Sequence, residues 1–168
     1  MKMKHHGGAH IMNYTRKQID TLLTFLEPIN AYDREETVGE LCEKFDLESR
    51  ASLRELLDRS FFLDPWYSNT AIPVKRTMAS TLLTAMTDPA FNFEWLTQDA
   101  DGTFALPAGV GTGRSRVIYE EIYRAVYDHW NDELQKTDLK LPQPEELDIP
   151  PRRSHLGDNA VQEERDQR

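Results

Sequence analysis

Apolar positions recur at helical spacing in several stretches of the chain, separated by short polar or proline-bearing breaks. Thr15-Arg16-Lys17-Gln18 has the form of a capping box, in which hydroxyl and amide satisfy each other's backbone groups. Ile19, Leu22, Leu23 and Leu26 follow on one face, and Pro28 disfavours helical geometry at Glu27, so this helix closes after about three turns. Asp33 with Glu36 repeats the cap signature and opens a second helix carrying Val38, Leu41, Cys42 and Phe45. After a turn at Asp46-Leu47, Ser49 or the preceding Glu48 begins a third helix, with Leu53, Leu56, Leu57 and Phe61 on one side.

Phe61-Phe62-Leu63-Asp64-Pro65-Trp66-Tyr67 reads as a hydrophobic connector, because its proline interrupts helix. Pro73 suits the first turn of a fourth helix that continues through Val74, Met78, Leu82, Leu83 and Met86 to Asp88-Pro89. From Phe91 the period changes to alternation, Phe91, Phe93 and Trp95 against Asn92, Glu94 and Leu96. Asp101-Gly102 then leads into Thr103-Phe104-Ala105-Leu106, a pattern that predicts a short β-hairpin. Ser115 is placed to cap the longest helix, which runs to about Gln135. The resulting expectation is a mainly α, single-domain bundle of about five helices over residues 13–137, with a small hairpin before the last helix. Residues 1–12 lack periodicity and read as a disordered leader or tag remnant. Residues 138–168 are rich in proline and charge and read as a disordered tail.

Composition sharpens this picture in two ways. Twenty Lys and Arg stand against 29 Asp and Glu, a formal net charge of −9, which removes nonspecific attraction to a phosphate backbone. Cys42 is the only cysteine, so no internal disulfide can form, and the chain suits a reducing compartment, with the cytoplasm expected. No apolar run is long enough to span a bilayer.

Few residues suggest catalysis. His129 is the only histidine of the expected domain. Its neighbour Asp128 points elsewhere on a helix, so the two do not form a dyad. Cys42 falls on an apolar stripe, where an inert thiol is expected. Ala108-Gly109-Val110-Gly111-Thr112-Gly113-Arg114-Ser115 has the outline of a phosphate loop without its first glycine or its lysine, and reads as a hinge. Asp99-Ala100-Asp101-Gly102 has the start of a calcium loop, but Ala108 stands where the bidentate carboxylate belongs. His5, His6 and His10 lack a second ligand cluster. No catalytic residue, metal or cofactor is expected.

Two readings of function remain. The segment from Glu36 to Arg59, with Glu40-Leu41-Cys42, a turn at Asp46-Leu47 and Ser49-Arg50-Ala51-Ser52-Leu53-Arg54 in the recognition position, resembles bacterial winged-helix and helix-turn-helix regulators. That resemblance implies base or phosphate contacts from Arg50 and Arg54 and phosphate donors in Ser49 and Ser52. The favoured reading is a noncatalytic adaptor, inhibitor or regulator that binds another protein, or a second copy of itself. Tyr119, Tyr123, Tyr127 and Trp130 form one stripe of the last helix beside a second stripe of Ile118, Ile122 and Val126. An apolar face that broad either surrounds itself with other helices or leaves a surface, joined by Trp66 and Tyr67, for a partner. Sequence alone leaves both open.

Overall fold

The computed structural model describes residues 13–98, 105–107 and 113–149. The leader at 1–12, the turn expected at Asp101-Gly102, the glycine-rich loop at 108–112 and the chain beyond Ile149 lie outside them.

Helix α1 spans Arg16–Thr24, and its capping box forms as expected. The Thr15 hydroxyl accepts from the Gln18 amide at 3.3 Å, and the Gln18 side chain accepts from the Thr15 amide at 2.9 Å. The second helix departs from its expected start. Asp33 is no cap but sits in the left-handed region (φ 52°), and the chain enters through a π-helical turn, Glu35–Gly39, before a single α-turn, α2, Glu40–Cys42. Helix α3, Arg50–Leu57, is capped by Ser49 and continues as a π-helical segment, Asp58–Phe62, that swings Phe61 and Phe62 into the core.

The connector contains a one-turn helix, α4, Pro65–Ser68, whose Asp64 cap accepts from the Trp66 amide at 2.8 Å. Helix α5, Ile72–Thr87, has proline in its first turn as expected.

The expected β-hairpin does not form, and the described residues contain no strand. Phe93–Thr97 is instead a short helix, α6, capped by the Asn92 side chain on the Glu94 amide at 3.1 Å. The apolar residues of this stretch also satisfy a single helical turn, and helix buries Phe93 and Leu96 together. Ala105, expected in the second strand, bonds elsewhere: its carbonyl accepts from Ala31 at 2.9 Å and its amide donates to the Asn30 side chain at 3.0 Å.

Helix α7, Ser115–Gln135, is the centre of the fold. It packs against α3, α5 and α6 and against a 3₁₀ turn at Pro144–Leu147. Ser115 is not its cap but its first residue. Its amide donates to the Glu94 carboxylate at 2.8 Å, so α6 supplies the negative group at the N-terminus of α7.

The packed region also runs past residue 137, where the sequence reading began a tail. Asp138, at φ 60°, takes the left-handed position that usually belongs to glycine, and the Leu139 amide bonds back to the Leu134 carbonyl at 3.2 Å. The chain therefore reverses along α7 as a strap over residues 139–149. Leu141, Pro144 and Ile149 are buried, the Tyr123 hydroxyl donates to the Pro142 carbonyl at 2.8 Å, and Arg124 donates to the Ile149 carbonyl at 3.0 Å.

Candidate functional site

With neighbours on most sides of α7, both of its apolar stripes are needed for the core. Tyr119, Tyr123 and Trp130 are buried together with Ile118, Ile122 and Val126. The Tyr119 hydroxyl donates to the Leu22 carbonyl at 3.0 Å and its ring lies 4.9 Å from Phe93. Burial pushes the Tyr119 and Tyr123 phenols well above their ordinary pKa, since an ionised phenol would lose its hydration. Trp130 lies within 5.3–6.2 Å of Phe25, Phe61 and Phe62, with the Lys75 ammonium 5.7 Å from its ring. Three of the four stripe residues are thus architecture. Tyr127 is half-buried, beside a groove formed with Lys140, Gln143 and Glu146 of the strap.

The other two aromatics of the expected surface divide sharply. Tyr67 is half-buried and stacks on Phe61 at 4.5 Å. Trp66 is 84% exposed and Leu63 63%. Ile72 and Val74, a few residues further along, are also exposed, as is Tyr32. Large apolar surface is therefore concentrated at the connector between the π-helical segment and α5, not on α7.

The helix-turn-helix residues are engaged internally. Ser49 caps α3 through the Ser52 amide at 3.4 Å, and Ser52 is half-buried. Arg50 donates to Glu120 at 2.6 Å and to Glu121 at 2.9 Å, both on α7. Arg54 is only 4% exposed and spans Asp58 at 2.8 Å and Asp128 at 3.0 Å. The face of α3 that the resemblance assigns to DNA is the face that docks on α7, and its cations are neutralised there.

One pairing escaped the sequence reading. His129 Nε2 lies 2.9 Å from a carboxylate oxygen of Asp58, and its ring stacks on Phe62 at 5.3 Å. Asp58 stands 71 positions earlier in the chain, so no local spacing could have paired them. The same Asp58 oxygen accepts from Arg54, making this a clamp between the π-helical segment and α7. Cys42 is buried, and burial pushes its thiol up to about 11, which suppresses the reactive thiolate. Among the described residues no cluster of His, Cys, Asp or Glu has the arrangement of a metal site, and no helix is long and apolar enough to cross a membrane.

No protein-family model matches the chain, and no curated protein or solved structure shows a significant likeness to it.

Proposed function

We propose that this is a noncatalytic adaptor, inhibitor or regulator that acts in the cytoplasm by binding another protein through the surface around Leu63 and Trp66. The observation that carries this reading is the exposure of Trp66, the only exposed tryptophan among the described residues. Tryptophan is the side chain most enriched among residues that dominate binding energy, and leaving one in water costs hydrophobic stabilisation that a partner would restore. Its setting is also suitable. Asp64 caps the turn that carries it, and the adjacent Tyr67 is fixed by stacking on Phe61, so the indole is presented from an ordered turn and little backbone freedom remains to be lost on association. A different protein is favoured over a second copy, because two chains of net charge −9 repel. Duplex DNA is disfavoured by the same charge and by the internal pairing of Arg50 and Arg54.

The test compares wild type with Trp66→Ala in capture from source cells and in thermal melting. The expected result is an unchanged melting temperature together with loss of one or more captured proteins, since truncation of an interface anchor often costs about 2 kcal/mol or more. Equal capture by both proteins, or capture of none, would overturn the proposal.

A further inference from the structure

A second feature lies on the face formed by the first half of α5 and the end of α7. Pro73, Arg76, Thr77, Ser80, Thr81 and Thr137 line an open groove of about 530 Å³, within the size range of small-ligand sites. Arg76 and Ser80 are one helical turn apart, as are Thr77 and Thr81, so these four side chains share one face of α5.

The donors of this groove are not equally committed. The Thr77 hydroxyl donates to the Pro73 carbonyl at 3.0 Å and the Thr137 hydroxyl to the Leu134 carbonyl at 2.8 Å. Ser80 and Thr81 donate to nothing among the described residues, and Arg76 makes neither an ion pair nor a hydrogen bond there. Among the described arginines Arg76 is exceptional in this. Arg16, Arg50, Arg54, Arg59, Arg116 and Arg124 all pair with carboxylates, while Arg34 and Arg114 bond to backbone carbonyls.

Thr81 is more informative still. It is only 7% exposed and lines the groove, and its hydroxyl, without a partner among the described residues, keeps contact with solvent. Water satisfies it there in the free protein, and a ligand oxygen that replaces this water restores the same hydrogen bond. Glu133, one turn before Thr137, is paired with Lys75 at 2.8 Å.

The geometry points to a binding site for the phosphate group of a small phosphorylated molecule, with the Arg76 guanidinium as its cation and the Ser80 and Thr81 hydroxyls as neutral donors. A phosphate presents more acceptor oxygens than a carboxylate and so can engage three donors arriving from separate side chains. The first turn of α5, at Pro73, adds the positive end of a helix beside the groove.

Titration of the isotope-labelled protein with inorganic phosphate and with glycerol phosphate, at ionic strength held constant with chloride, tests the assignment by amide chemical shifts. Saturable shifts centred on Arg76, Ser80, Thr81 and Thr137 are expected. Affinity should fall roughly tenfold or more in Arg76→Gln, the loss of a charged hydrogen-bond donor. Arg76 is exposed, so this variant keeps the fold. Thr81→Val, which retains volume and removes the hydroxyl, should weaken binding at unchanged melting temperature. Shifts that rise linearly without saturating, equal response to acetate, or unchanged affinity in Arg76→Gln would each overturn the proposal.

Discussion

Tyr119 offers the most direct test of whether α7 is core or interface, because two substitutions at one position probe two different interactions. Tyr119→Phe removes only the hydroxyl that donates to the Leu22 carbonyl at 3.0 Å. That carbonyl also accepts from the Phe25 amide at 3.3 Å, so it is not left without a partner. The loss should therefore be that of one ordinary hydrogen bond, about 1 kcal/mol, and not the larger penalty of an orphaned buried acceptor. Tyr119→Ala also removes a fully buried ring that contacts Phe93, and should cost about 3–5 kcal/mol in lost transfer energy and residual cavity. Urea unfolding followed by circular dichroism reads both. With a denaturant dependence near 2 kcal/mol per M, the midpoint should fall by about 0.5 M for Phe and about 2 M for Ala. Against a typical total stability of 5–15 kcal/mol, the Ala variant should be severely weakened at 37 °C. An Ala variant whose midpoint lies within 0.5 M of wild type would refute the reading of α7 as the centre of the core.

Three further outcomes follow from the packing. Truncation after residue 137 should lower the midpoint in the same assay, because it uncovers the surface covered by Leu141 and Ile149 and removes the strap carbonyls that accept from Tyr123 and Arg124; an unchanged midpoint would mean that the strap contributes nothing. Arg54→Ala should cost about 1–3 kcal/mol, less than for a fully buried pair because Asp58 and Asp128 keep some contact with water, and no gain or loss of duplex-DNA retention on a gel should accompany it. Stability should also fall in alkali: Cys42 is raised to about 11 and Tyr14 to about 12 by burial, with Tyr119 and Tyr123 raised further, so above about pH 9 the unfolded chain gives up protons that the native one retains. Each such group lowers stability by up to about 1.4 kcal/mol per pH unit between its unfolded and folded values, and unfolding midpoints that stay level from pH 8 to 11 would contradict this.

What the chain determined by itself is local. The capping box at Thr15, the cap at Ser49, the proline in the first turn of α5 and the helical spacing of Leu53, Leu56 and Leu57 all depend on residues within a turn or two of each other, and each appears where the spacing places it. Features that depend on distant neighbours were not legible. Alternation from Phe91 to Leu96 is compatible with strand or with one helical turn, and the choice fell to the packing partners of Phe93 on α7. The stripe from Tyr119 to Trp130 carries the same residues whether it faces a core or a partner. Only the placement of α3, α5 and α6 around α7 decided for the core. Arg50 and Arg54 have the spacing of a recognition helix, but their carboxylate partners on α7 lie 70 to 74 positions away, and those contacts turn the same cations inward. The strap was hidden for a related reason. Proline and charge dominate its composition, and its entry uses Asp138 where a helix end usually signals itself with glycine, so the burial of Leu141 and Ile149 emerges only once α7 provides a surface to receive them.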